Sequence, residues 1–263
     1  MTDATATDAT IRRIWPLPAS SEATDDDIVA WYAPPVDASR WARINFVASV
    51  DGAATHDGLS GGLSDAADHR VFDLLRTLCD VVVVGAGTVR KEGYGPMRVG
   101  ESAEARRVAA GLAPQPVFAL VSASLELEPD DRIFADAPVR PIVVTGAGSP
   151  VDRRAALAEV ADVLVCGEDD VDTAWMLRAL AERDLTQVHS EGGPHLFGSM
   201  LADDAVDELC LTLSPRLEGA TGLGIISDYV PAVPAQLRLA HVLASGDTLL
   251  LRYLRHHAAR AWA

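Results

Sequence analysis

The run Val81-Val82-Val83-Val84-Gly85-Ala86-Gly87-Thr88 joins four consecutive β-branched residues to a glycine-rich turn. Four valines without polar alternation predict a short strand covered on both faces. The two glycines predict a tight strand-to-helix junction whose backbone N–H groups can approach an anion. Upstream, Ser64-Asp65 offers an N-cap to a segment in which Val71, Phe72, Leu74, Leu75 and Leu78 fall near helical spacing, a helix with one buried face. A helix, a buried strand and a glycine turn leading into another helix define the α/β class.

The alternation continues outward. Residues 42–50 read as a strand ending in the turn Ser49-Val50-Asp51-Gly52, and residues 117–121 and 142–144 as buried strands. Residues 153–160 read as a helix, 162–166 as a strand, 173–183 as a helix and 187–190 as a strand. Glu191-Gly192-Gly193-Pro194 then opens a helix through Leu201. Residues 208–213, 237–243 and 248–253 look like adjacent strands without helices between them. This order predicts a mixed, mostly parallel central sheet between helical layers, with an antiparallel C-terminal end. Residues 99–114 read as a surface helix or loop. Residues 1–40 read as a tail followed by a short acidic-start helix stopped at Pro34-Pro35, 41–256 as one domain, and 257–263 as a second tail.

The 263 residues carry 22 Lys and Arg against 38 Asp and Glu, a formal charge of −16, which disfavours nucleic acid and anionic membrane surfaces as partners. No apolar run is long enough for a membrane span, and no secretory leader pattern is present. Cys79, Cys166 and Cys210 are odd in number and widely spaced, fitting a reducing cytoplasm better than a disulfide framework or a thiolate metal site. His56, His69, His189 and His195 lack metal-ligand spacing, His256-His257 falls in a basic tail, and there is no nucleophile elbow. No metal is expected.

Two strand-to-glycine junctions remain as candidate chemistry. Gly85-Ala86-Gly87-Thr88 is not a dinucleotide fingerprint, because Arg90 stands where the third glycine would fall. It serves equally as a phosphate-type loop or a plain β–α turn. Ser190-Glu191-Gly192-Gly193-Pro194 reads as a second phosphate-type junction or as a proline-assisted helix start.

Together with Leu75-Arg76, Cys79-Asp80-Val81, Ser49-Val50-Asp51-Gly52 and Val206-Asp207-Glu208-Leu209 before Pro215, these junctions resemble, over residues 42–254, the reductase domain of riboflavin biosynthesis, the RibD C-terminal domain, in its stand-alone actinobacterial form. The resemblance implies a dihydrofolate-reductase-like three-layer fold, a homodimer, and NADPH-dependent reduction of the ribosyl chain of 5-amino-6-(5-phosphoribosylamino)uracil to a ribityl chain. It implies cofactor contacts at Gly62, Ser64, Gly85, Gly87, Thr88 and Glu92, with Ser122 or Ser124 near a 2′-phosphate. The pyrophosphate would lie on Gly192, Gly193, Pro194, His195 and Leu196. Arg76 and Arg98 fall at the family's phosphate-holding positions, and Ser60 and Glu191 at positions contacting the sugar or the pyrimidine. Glu92 replaces an aspartate of the family, and Gly61-Gly62 stands where a bulky residue is frequent.

Asp68 and Glu191 are the candidate catalytic carboxylates. Asp68 sits where dihydrofolate reductases place the acid that holds the pterin, so dihydrofolate is an alternative substrate. The same residue reads otherwise as a carboxylate favouring the helix dipole. A non-catalytic NADP-binding paralogue is the third reading.

Overall fold

The apolar periodicities become ten strands and eight helices in the computed structural model, which describes residues 9–36, 38–219, 223–229 and 234–255. β1 (Arg12–Trp15) and α1 (Asp25–Tyr32) precede β2 (Trp41–Ser49), and α2 (Ala66–Leu75) leads to β3 (Val81–Gly85), α3 (Ala86–Glu92) and α4 (Glu101–Ala109). Then come β4 (Val117–Val121), α5 (Arg132–Ala135), β5 (Ile142–Thr145), α6 (Val151–Ala158), β6 (Asp162–Val165) and α7 (Thr173–Ala181). β7 (Gln187–Ser190) and α8 (Pro194–Ala202) are followed by β8 (Glu208–Ser214), β9 (Leu237–Ser245) and β10 (Thr248–Arg255).

All ten strands form one sheet in the order β1-β9-β10-β8-β2-β7-β3-β4-β5-β6. From β8 to β6 the neighbours run parallel. β10, β9 and β1 add an antiparallel end. The fold class read from sequence is therefore the one observed. Along β3, Val81 and Val83 pack with Ile44, Leu177, Leu180 and Met200 on the face covered by α7 and α8. Val82 and Val84 pack on the other face with Phe118, Leu120, Ile133 and Leu157. Burial on both faces is why this strand shows no polar alternation.

Several motif residues pin this topology. Asp80 Oδ2 accepts N–H bonds from Thr186 and Gln187, fastening the start of β7 beside β3. Asp207 Oδ2 accepts from the Ala42 N–H. Next to it the Glu208 carboxylate is clasped by Arg43 and Arg252 and accepts from the Trp41 indole, all within the fold.

The N-terminal segment departs from expectation. Residues 12–15 pair antiparallel with β9, and Ile11, Ile28 and Tyr32 are buried with α2, Cys210 and Leu243. A strand of sequence Arg-Arg-Ile-Trp carries no apolar run to reveal it, because its partner β9 lies far along the chain. The helix read as 153–160 starts earlier, at Val151, where the φ of Pro150 suits a helix start. The tails expected over most of 1–10 and over 257–263, with His256-His257, lie outside the described residues. Among the described residues no helix is long and apolar enough to cross a membrane.

Candidate active site

In open parallel sheets, ligands sit beyond the carboxyl ends of the strands where the strand order reverses. Here β7 returns between β2 and β3, and a cavity of about 1060 Å³ lies at that point. Gly85, Val121 and Glu191, at or just past the ends of β3, β4 and β7, line it together with Asn45 and Phe46 of β2.

One wall joins the two glycine junctions. The Gly85 N–H donates to the Gly192 carbonyl at 2.9 Å, and the Gly192–Gly193 peptide is cis. A Cβ on Gly193 would stand 2.4 Å from Thr88 Oγ1, and one on Gly192, whose φ is +86°, would stand 2.6 Å from the Phe46 ring. Side chains at either glycine would therefore fill the space in which the two junctions meet. No atom lies within 4 Å of a Cβ built on Gly87, which leaves open room at the start of α3. α3 and α8 begin at Gly85 and Gly193 without a side-chain cap among the described residues. Uncapped N–H donors, small residues and the hydroxyls of Thr88, Ser122 and Ser124 along one wall suit the phosphates of a dinucleotide.

The cavity lining also carries charge. Arg76 Nε and Nη2 donate to Glu191 Oε1 and Oε2 at 2.6 and 2.9 Å, Tyr94 Oη donates to Oε2 at 3.0 Å, and the guanidinium stacks on Phe72. The Glu191 side chain is wholly buried and that of Arg76 is 15% exposed. Burial opposes the Arg76 charge, but the Glu191 carboxylate more than offsets this and holds its pKa above the ordinary value. Beside them His189, fully buried and 3.7 Å from Glu191, has no hydrogen-bond partner on either ring nitrogen among the described residues. Burial, the largest influence on it, pulls its pKa down to about 4.

Asp68 lines the same cavity at 5% exposure. α2 is capped by Asp65 rather than Ser64: Asp65 accepts from the N–H groups of Ala67 and Asp68. That leaves the Ser64 hydroxyl to bond Asp68, as does Thr212 of β8. Burial, outweighing these two hydroxyls, raises the Asp68 pKa.

Of the residues singled out from sequence, Ser60, Ser64, Asp68, Arg76, Gly85, Gly87, Thr88, Glu92, Ser122, Glu191, Gly193, Pro194, His195 and Leu196 all line the cavity. Glu92 Oε1 accepts the Ser60 N–H at 2.9 Å and so anchors the Ser60 loop. His195 is largely exposed and pairs with Asp228. Gly62, packed against the His56 ring, and Gly192 shape the walls without lining the cavity. Arg98, expected beside Arg76, does not line the cavity: its side chain is exposed and donates to the Asp136 carbonyl. Buried Met97 and Val99 on either side of it turn inward, which sends the side chain between them outward. Tyr94 and Asn45 were missed. Tyr94, in Gly93-Tyr94-Gly95-Pro96, is an aromatic in a loop with little else to bury. Among the described residues no group of three His, Cys, Asp or Glu could hold a metal ion.

An open α/β sheet with this crevice, lined by glycines and helix starts, a buried Asp and an Arg–Glu pair, is that of an oxidoreductase with a dihydrofolate-reductase-like fold. The chain belongs to the RibD C-terminal domain family, whose model matches residues 40–251. The 2,5-diamino-6-ribosylamino-4(3H)-pyrimidinone 5′-phosphate reductase of Archaeoglobus fulgidus is 28% identical over 188 residues, which span 70% of this chain and 84% of that protein. Riboflavin biosynthesis protein RibD of Bacillus amyloliquefaciens is 26% identical over 183 residues, 69% of this chain and 47% of that protein. The crystal structure of a pyrimidine reductase-like protein from Corynebacterium diphtheriae superposes with a TM-score of 0.80 at 27% identity, covering 89% of this chain and 100% of that one.

Proposed function

We propose that the chain is an NADPH-dependent reductase that converts the ribosyl chain of a phosphorylated ribosylaminopyrimidine to a ribityl chain. The observation that carries this reading is the meeting of the two glycine junctions at a cavity also lined by Asp68, Arg76 and Glu191. NADPH, when bound, supplies the hydride. The N–H groups opening α3 and α8 would hold its phosphates, with Gly85, Thr88 and Ser122 as further contacts. Ser60 and the Arg76–Glu191 pair meet the sugar phosphate end of the substrate, and Tyr94 keeps Glu191 turned toward Arg76. Glu191, with donors on both oxygens, is an acceptor and a positioning group, which leaves Asp68 as the carboxylate facing the heterocycle. Residues 41–256 act as one reductase domain, with β1 and α1 packed on it, in a cytoplasmic homodimer whose partner is a small molecule.

The test follows nicotinamide absorbance with purified protein and the phosphoribosylaminopyrimidines. Saturable turnover is expected, and a protein that shows no NADPH binding by fluorescence or calorimetry overturns the reading. A second reading, dihydrofolate as substrate, is favoured by one observation, the placement of buried Asp68 on the cavity wall. Turnover of dihydrofolate with a higher kcat/KM than either pyrimidine would select it.

A further inference from the structure

His189 is buried without a hydrogen bond to either ring nitrogen among the described residues. An interior polar group left unpaired is costly, and one kept next to a cavity-lining carboxylate calls for a use. Alternation along β7 turns His189 and Glu191 to the same face of the sheet, while Val188 packs in the core under α7 and α8. His189 Nε2 stands 3.7 Å from Glu191 Oε1, beyond hydrogen-bond length by a distance that a small side-chain movement closes. The charges facing the imidazole leave no negative excess. Glu191, on its own strand, is matched by Arg76 at the end of α2. Arg43, level with His189 on β2, is matched by Glu208 of β8, which Arg252 of β10 also meets. Its neighbour on β3 is Val82. Around the Arg76–Glu191 pair lie only the Tyr94 hydroxyl and the largely exposed Asp73, 3.9 Å from Arg76. In these surroundings the buried ring stays neutral.

An anion entering the cavity changes that balance. A guanidinium has five N–H donors, and Glu191 accepts from two of those on Arg76, so the open edge can meet an anion without releasing Glu191. Shared between two anions, Arg76 no longer offsets the Glu191 charge, and the surplus falls beside an imidazole with a free nitrogen lone pair. We propose that His189 is a positioning residue for Glu191: when an oxyanion occupies Arg76, His189 takes a proton from solvent, donates Nε2–H to Glu191 and keeps that carboxylate in place, so that anion binding is coupled to proton uptake. This rests on the reading that gives Arg76 the phosphate end of the substrate. It adds a dependence on pH: affinity for the anion falls as pH rises between the His189 pKa of the free protein and that of the complex.

The experiment uses sulfate as the probe, because it stays a dianion throughout and takes up no proton of its own. Binding is followed by calorimetry between about pH 5 and 7, in pairs of buffers that differ in ionisation enthalpy, for wild type, His189→Leu and His189→Gln, with thermal melting as the check on folding. Wild type is expected to take up about one proton per protein, with affinity falling by up to about tenfold for each unit of rising pH. Both variants take up none and bind with an affinity independent of pH. His189→Gln binds more tightly than His189→Leu, because its amide can donate to Glu191 at any pH. In turnover of the phosphoribosylaminopyrimidine, the KM of His189→Leu relative to wild type grows as pH falls, and the loss lies in KM rather than kcat. Absence of sulfate binding, binding without proton uptake, or uptake that persists in His189→Leu and so belongs to another group such as Asp68 or Asp73, overturns the inference. The wild-type proton count needs neither variant. Proton-coupled sulfate binding in a protein that oxidises no NADPH with the pyrimidine upholds the role of His189 and overturns the reductase reading. Turnover of the pyrimidine with proton-silent sulfate binding does the reverse.

Discussion

Arg76 and Glu191 are each other's principal partner. Removing one member of a buried pair leaves the other uncompensated, at a cost of about 3–5 kcal/mol. Arg76→Ala is therefore expected to lower urea stability by that amount, and Arg76→Ala with Glu191→Gln by distinctly less, because the double variant strands no charge. Arg98 is the opposite case. Exposed and bonded to one carbonyl, Arg98→Ala is expected to change kcat/KM by no more than about twofold, the scale of a surface substitution. Both arginines were expected at substrate positions from the sequence, and only Arg76 lines the cavity. What the sequence could not carry is which way a side chain turns in a loop. That depends on the burial of its neighbours, as with Met97 and Val99 around Arg98. The same holds for Tyr94, whose partner Glu191 is nearly a hundred residues away.

At the level of elements, β3 was legible to within a residue because valines buried on both faces and a glycine stop leave little choice, and β7 because the Glu191-Gly192-Gly193-Pro194 helix start ends it. β1 was not, since its pairing with β9 is a property of the sheet and not of four residues. The contact between the two glycine junctions was equally invisible. Each turn could be read locally, but that Gly85 bonds Gly192 depends on β7 lying beside β3. Gly192→Ala tests that contact: positive φ and the Phe46 ring together oppose a side chain. We expect a loss of more than about 1 kcal/mol in stability, read by thermal or urea unfolding, with weaker NADPH binding alongside it.

For the whole molecule, buried titratable groups set the response to acid. Arg43 and Arg252 outweigh burial at Glu208 and hold its pKa down to about 2. Its contribution is complete above the ordinary carboxylate value near 4.5 and is lost as pH falls toward 2. His189 and His241 are held neutral, chiefly by burial, to about 4 and about 3. The unfolded chain takes up those protons from about 6.5 downward, so their share of stability is full above 6.5 and fades as pH falls through the window to the folded values. Urea midpoints should thus decline between pH 7 and 4. In His189→Leu the decline should be shallower, and an unchanged slope would remove His189 from the account.

The position of β7 in the sheet governs the order in which a growing chain can fold. β2 and β3 emerge from the ribosome early, yet the strand that belongs between them is made only after β4, β5 and β6, and the strands that flank β2 and β1 come later still. Until then β2 has no native neighbour and β1 waits for β9. The nascent chain must hold apolar strands apart through most of its synthesis. A folding intermediate populated at that stage would expose the β2 and β3 edges, the surfaces on which a chaperone would act.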